Sequence, residues 1–334
     1  MKHSHTLEAA SDHAAASPLR RTAFSVLLSA LAVSLLCAPP ARRSAAQRRR
    51  PVERQQVERQ LPEQLKTVEG QSAPYTTFYY KSGGLNIEGY FYKPQGTGPF
   101  PLVIYNHGSR SGQEHVEKPF PAIAEILVPQ GYAVLVPERR GYGKSDGQTY
   151  DGEVQGDRGE LMMKRFGEEA GDVLAGLDYL KRAGAGVANA IRPDQKPTNG
   201  LIDFRRVALM GWSHGGVVSL LAASERHDFV ALVDQAGGAL TWNSSPVLRS
   251  RLPDAAARIR IPALCMDAEN DATTNAVKSV GEAIRNSGEW ERTIIYPPFT
   301  PASNPSNIAP GHLIFGQGIP IWQNDLVAFL KPRL

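Results

Sequence analysis

The chain has 334 residues, 42% of them apolar and 21% charged, with 37 Lys and Arg against 33 Asp and Glu for a net charge of +4. Such a balance excludes a chain disordered throughout or built of many membrane spans, and two cysteines, Cys37 and Cys265, are too few for a disulfide framework or a thiolate zinc site. Residues 1–46 hold five basic and two acidic side chains, residues 47–74 six and four, and residues 75–334 26 and 27, so the basic excess lies outside the body. That argues against nucleic acid as a partner, because a nucleic-acid-binding domain concentrates Lys and Arg on its own surface.

Lys2, Arg20 and Arg21 precede the apolar run Ala23–Ala38, which at 16 residues is shorter than the roughly 20 needed to span a bilayer as a helix. A basic start, a short apolar stretch and then small side chains at Ser44 and Ala46 form the pattern of a secretory signal peptide. The expectation is a signal peptide over residues 1–46, cleavage after Ala46, export to the periplasm or exterior, and no stable membrane span in the mature form. Three alternatives stay open. Arg20-Arg21 ahead of Phe24 is similar to a twin-arginine signal, Leu35-Leu36-Cys37 is similar to a lipoprotein box, and the apolar run can also serve as an uncleaved anchor. Residues 47–74 carry a VERQ duplication, three prolines and almost no large apolar side chains, which predicts a polar, disordered linker.

The texture changes at Tyr75. Thr76–Lys81 and Leu85–Lys93 are rich in Tyr, Phe, Ile and Thr and flank Gly83-Gly84, which predicts an antiparallel hairpin. Leu102–Tyr105 reads as a buried strand, Phe120–Pro129 as a helix capped by Gly131, Tyr132–Pro137 as a strand and Leu161–Arg182 as a long amphipathic helix. Strands are expected at Val207–Met210, Phe229–Val233, Ala263–Met266 and Thr293–Tyr296, with helices at Gly215–Ser224, Ala276–Arg285 and Ile321–Leu330. Near-continuous apolar strands alternating with helices imply an α/β fold with a mostly parallel sheet covered on both faces. The longer connections, Gly184–Asp203 and Gly238–Ala257, are too short for a second domain, so residues 75–334 are expected to form one catalytic domain.

Between the strand at Val207–Met210 and the next helix stands Gly211-Trp212-Ser213-His214-Gly215, a G-x-S-x-G motif in the strand–turn–helix setting that gives it meaning. A serine on so sharp a turn needs neighbours without Cβ two places away on each side. The following helix N-terminus aims free N–H groups at developing negative charge.

On these residues the body resembles an α/β-hydrolase, nearest to the dienelactone hydrolase and prolyl oligopeptidase-like serine hydrolases. The resemblance implies the chain order nucleophile, acid, histidine, each just after a strand. Ser213 is the implied nucleophile, Asp271 in Asp267-Ala268-Glu269-Asn270-Asp271 the implied acid, and His312 in Pro310-Gly311-His312 the implied base. Asp267, Glu269 and Asp234 compete for the acid role and His227 for the base. Asn106-His107-Gly108-Ser109 resembles the family's oxyanion loop, so the expected oxyanion donors are the N–H of His214 and that of Ser109 or Gly108. His107 and His214 read as loop-shaping residues, and Arg139-Arg140-Gly141-Tyr142-Gly143-Lys144-Ser145, which resembles the family's arginine-glycine turn, as a structural turn beside the site. Dienelactone hydrolases carry a cysteine nucleophile, and serine stands here instead.

No metal and no cofactor are expected. The expected pocket residues are Tyr105, Trp212, Tyr142 and Trp242, with Ala239–Leu252 as a small lid. The expected activity is hydrolysis of a small-molecule ester or short acyl substrate through an acyl-enzyme. A prolyl oligopeptidase-type peptidase and a non-catalytic binding module on the same scaffold are the alternatives, since fold and triad do not fix the bond cleaved. Oligomeric state is not legible.

Overall fold

Gly83 and Gly84, at φ of 52° and 88°, turn β1 (Tyr75–Ser82) back on β2 (Leu85–Tyr92), with Ser82 opposite Leu85. The computed structural model describes residues 73–110, 115–183 and 200–334. Contacts divide the chain into Met1–Val57 and Glu58–Leu334, and every described residue belongs to the second unit. The expected signal peptide, with its twin arginines and Cys37, lies outside the described residues, as does the expected linker except Ala73 and Pro74.

Six further strands follow: β3 (Phe100–Asn106), β4 (Ala133–Pro137), β5 (Ile202–Trp212), β6 (Ala231–Gln235), β7 (Ala263–Ala268) and β8 (Glu291–Tyr296). They form one eight-stranded sheet in the order β1-β2-β4-β3-β5-β6-β7-β8, in which only β2 runs against the rest. This is the architecture expected from the sequence, a mostly parallel sheet with an antiparallel hairpin at one edge.

Both faces of the sheet are apolar because each buried strand sends alternate residues to opposite layers. Leu102, Ile104 and Leu209 join the layer built by α3 (Glu160–Ala183), α4 (His214–Glu225), α6 (Pro246–Ala256) and α7 (Asn275–Asn286). Their neighbours Val103, Ala208 and Met210 join the opposite layer, closed by α1 (Pro121–Leu127) and α9 (Ile319–Leu330). Among the described residues no helix is long and apolar enough to cross a membrane.

The short helices α2 (Tyr150–Val154), α5 (Ala239–Trp242) and α8 (Ile314–Gln317) complete the set, and α5 and α6 occupy a stretch expected to be a connection. Helix α6 starts where the Ser245 hydroxyl accepts from the N–H of Leu248 at 3.1 Å with Pro246 in the first turn, a start signal present in the sequence. Arg249, Ser250, Arg251 and Pro253 mask its apolar period. Strand β5 is longer than Val207–Met210 because its polar first half pairs with Phe100 across a register shift.

Strand order reverses at β3: β4 lies on one side of it and β5 on the other. Open α/β sheets bind ligands in the crevice outside the carboxyl ends of strands at such a reversal. Asn106 is in register with Gly211, so the loops leaving β3 and β5 emerge side by side there.

Leu209, fully buried at the centre of β5, tests the core. Leu209→Ala is expected to lower the unfolding free energy by about 2–5 kcal/mol, with a lower urea midpoint and an unchanged m value.

Candidate active site

Ser213 sits between β5 and α4 at φ 56° and ψ −115°, a conformation that L side chains rarely adopt. Its N–H donates to the Gln235 carbonyl at the end of β6 at 2.7 Å, which pins the turn. The two flanking glycines are obligatory. A Cβ on Gly211 would lie 2.0 Å from the Gly215 carbonyl oxygen, and one on Gly215 would lie 1.9 Å from that of Asn106.

Two further loops converge on this turn. The loop after β7 carries Asp271, and the 3-10 turn Pro310–Leu313 carries His312. The loops touch through the Gly311 N–H, which donates to the Asn270 carbonyl at 3.2 Å. A Cβ on Gly311 would meet Asp271 N at 2.5 Å. His312 Nε2 lies 2.8 Å from Ser213 Oγ, and Nδ1 lies 2.7 Å from Asp271 Oδ2. An ionised carboxylate only accepts, so Nδ1 carries the proton and Nε2 accepts from the serine hydroxyl. Asp271 Oδ1 accepts the Ala272 N–H at 2.5 Å.

The structure thus brings together Ser213, His312 and Asp271, and none of their competitors bonds to Ser213 or His312 among the described residues. Glu269 and His227 are exposed. Asp234 accepts the Gly237 N–H at 2.9 Å, and burial pushes its carboxyl up to about 7. Asp267 accepts the Ala268 N–H at 2.8 Å.

Two of the expected oxyanion donors, Ser109 and His214, border a cavity beside Ser213, and Gly108 is not in its lining. Ser109 is exposed at its rim, and His214, first residue of α4, lines it. No backbone acceptor among the described residues takes the N–H of either, as expected for His214 in the first turn of a helix. Beneath them lies a buried charge network. Arg139 donates to the His107 carbonyl at 2.7 Å and the Gly108 carbonyl at 3.2 Å, and its Nε pairs with Glu169 on α3 at 3.1 Å. Glu169 also accepts from His214 Nε2 at 2.5 Å and Arg165 Nε at 2.8 Å. Glu138 binds His107 at 3.1 Å and Arg110 at 2.5 Å.

One carboxylate, Glu169, therefore ties the loop after β3 to the first residue of α4. Burial opposes its charge, but His214, Arg139 and Arg165 outweigh that and hold its carboxyl well below the usual carboxylate range. Burial, followed by the Arg139 charge, pushes His214 down to about 4 against the pull of Glu169, so its imidazole is neutral at pH 7.

Beside Ser213 opens a cavity of about 240 Å3. Val154, Phe166, Val217 and Leu248 form its apolar wall, and Asp151, Asp157 and Arg158 give it a polar rim. None of the four expected pocket residues lines it. Tyr105 and Trp242 are buried in opposite core layers, because strand alternation turns Tyr105 inward and α5 turns Trp242 inward while presenting Leu240 and Thr241. Tyr142 is fully buried beneath the Arg110 guanidinium, 5.3 Å from its ring centroid. Trp212 instead braces the site. Its Nε1 donates to the His312 carbonyl at 3.2 Å, its ring lies 5.6 Å from the imidazole, and a Cβ on Gly108 would meet that ring at 2.7 Å.

Sequence reasoning missed Glu169, Tyr150 and Phe166. The last two place their rings edge-on against His214 at 4.9 and 4.6 Å. A signal was available for Glu169: Arg165, Glu169 and Asp172 recur at helical spacing among the apolar residues of α3, and all three are buried.

A strained serine between strand and helix, hydrogen-bonded to a histidine that in turn bonds an acid, with both partners from later strand ends, defines the α/β-hydrolase class. The chain belongs to the X-Pro dipeptidyl-peptidase (S15) family, whose model matches residues 83–250, a span that includes Ser213 and ends before Asp271 and His312. Over 166 residues, 48% of the chain, it is 28% identical to human dipeptidyl peptidase 8 and 27% identical over the same length to the mouse protein. Those residues make up only 16% of either relative.

Solved structures share the fold. An acylaminoacyl peptidase from Pyrococcus horikoshii is 17% identical with a TM-score of 0.57, covering 79% of this chain and 42% of its own. An esterase from Pyrococcus furiosus is 18% identical with a TM-score of 0.55, covering 80% of this chain and 94% of its own. A dienelactone hydrolase-like promiscuous phosphotriesterase from metagenomic libraries is 18% identical with a TM-score of 0.53, covering 79% and 99%.

The depressed His214 gives a stability test. Its folded value lies below its unfolded one, so between about pH 6.5 and 4 the unfolded chain binds a proton that the folded chain refuses. Stability therefore falls on acidification through that window, and buried His107, also pushed down, acts with the same sign. His214→Gln is expected to flatten the dependence of Tm on pH between 6.5 and 4.5. An unchanged slope contradicts the assignment.

Proposed function

We propose that this chain is an exported serine hydrolase that cleaves a carboxylic ester through an acyl-enzyme, with Ser213 as nucleophile, His312 as general base and then acid, and Asp271 as the orienting acid. The observation that supports it is the pair of hydrogen bonds on His312, 2.8 Å to Ser213 and 2.7 Å to Asp271. A non-catalytic module on the same scaffold has no need of that alignment.

In this reading Ser213 Oγ attacks the acyl carbonyl while His312 Nε2 takes its proton, and Asp271 keeps Nδ1 protonated and stabilises the imidazolium that forms. The N–H groups of His214 and of Ser109 or Gly108 receive the oxyanion. Losing one such donor slows turnover by about 10²–10³-fold. His312 then returns the proton to the leaving alcohol, and a water repeats the sequence in reverse to free Ser213. The apolar wall of Val154, Phe166, Val217 and Leu248 suits a short acyl chain.

Peptide cleavage is the second reading, favoured by the X-Pro dipeptidyl-peptidase family match and the likeness to dipeptidyl peptidase 8. A panel of p-nitrophenyl esters of increasing acyl length and of X-Pro p-nitroanilides separates the two. Short esters are expected to give the higher kcat/KM, and a preference for X-Pro anilides moves the assignment to the peptidase. On the better substrate, Asp271→Asn is expected to lower kcat by about 10³–10⁴-fold, and near wild-type turnover contradicts the acid assignment. Export rests on the pattern of residues 1–46. Mass spectrometry of the exported N-terminus is expected to find Gln47 first, and an intact Met1 or a lipid on Cys37 contradicts cleavage after Ala46.

A further inference from the structure

Asp267 is the last but one residue of β7 and is fully buried. The mechanism above gives it no part, yet the turn after β7, closed by the Asp271 N–H on the Ala268 carbonyl at 3.0 Å, brings Asp271 back beside it, and the two carboxyls interact. Two ionised carboxylates in such contact repel and have no proton to share. Asp271 accepts from both His312 and Ala272, so both of its oxygens already serve as acceptors. Asp267 Oδ1 accepts the Ala268 N–H, while no donor among the described residues reaches the buried Oδ2. An ionised oxygen left so is costly, whereas a protonated one becomes a donor aimed at its neighbour.

We infer that Asp267 is a positioning residue, a neutral carboxylic acid whose Oδ2–H donates to the Asp271 carboxylate and fixes the face that Asp271 turns to His312. Burial first, and then the Asp271 charge, raise the Asp267 carboxyl to about 9, so the proton is in place throughout the neutral range. Asp234 on β6 faces it as a further acid and acts in the same direction, Ile295 is its uncharged register partner on β8, and His312 lies beyond Asp271. Asp271 is thus held from three sides: by the Ala272 N–H, by the imidazole and by the Asp267 hydroxyl. With that donor lost, Asp271 loses one of the contacts that fix its rotation.

This inference deepens the triad reading and rests on it. Its test compares wild type, Asp267→Asn, Asp267→Val and Ser213→Ala on a p-nitrophenyl ester, as background-corrected kcat/KM from pH 6 to 10.5. Each preparation is normalised by fluorophosphonate titration of active sites, except Ser213→Ala, which is normalised by absorbance. Asparagine keeps both roles, since its oxygen accepts from Ala268 and its N–H donates to Asp271. Asp267→Asn is therefore expected to stay within about threefold of wild type at pH 7.5, and Asp267→Val to fall by about 10–100-fold per active site. Wild type is expected to lose activity on an alkaline limb near pH 9, as the Asp267 proton leaves, and Asp267→Asn to lack that limb. A fall in Asp267→Asn as deep as in Asp267→Val, or the same alkaline limb in Asp267→Asn, overturns this inference alone. Turnover surviving in Ser213→Ala overturns the triad reading and this inference with it.

Discussion

The close passage of β5 and α4 through the turn at Ser213 is the constraint on which the rest of the site depends. With Gly211 packed against the Gly215 carbonyl and Gly215 against that of Asn106, three backbone segments share a space that admits no Cβ. The serine is left at φ 56°, a strain of about 1–3 kcal/mol that persists only where the surroundings over-determine it. Those surroundings are the sheet. The register of β3 against β5 sets Asn106 beside Gly211, and β6 accepts the Ser213 N–H through Gln235. The arrangement follows from strands that end together at the reversal of strand order.

Beneath the turn the chain buries ionised groups rather than apolar ones. Arg139, Arg165, Glu138 and Glu169 are each at most 7% exposed. Burying charge is expensive unless every partner is present, so such a network adds less to stability than to definition, and removing one member strands the others. Its geometry explains why the charge is tolerated. Arg139 holds the carbonyls of His107 and Gly108 while Glu169 holds both Arg139 and His214. The two segments expected to supply oxyanion donors are thereby linked through a single carboxylate.

Much of the fold was legible because a buried parallel strand has a simple signature. LVIY in β3 and VALM in β5 are short apolar runs that end in polar turn residues, and those ends are where the chemistry-bearing side chains gather. Chain order does not decide among Asp267, Glu269 and Asp271, because that choice depends on how the loop after β7 curls toward Gly311. The pocket was the least legible part. Its lining comes from α2, α3, α4, α5 and α6, far apart in sequence, whereas aromatic residues near the motifs, such as Tyr105, fill the core by strand alternation. Glu169 was hidden by the assumption that a helix stripe facing a sheet is apolar throughout.

One measurement bears most directly on Ser213 as an activated nucleophile: peptide mapping by mass spectrometry after reaction of the folded protein with a fluorophosphonate. A nucleophile activated by His312 gives one adduct per chain, on Ser213 within the tryptic peptide Val207–Arg226. A folded protein that takes no adduct, or takes it on another residue, contradicts the assignment.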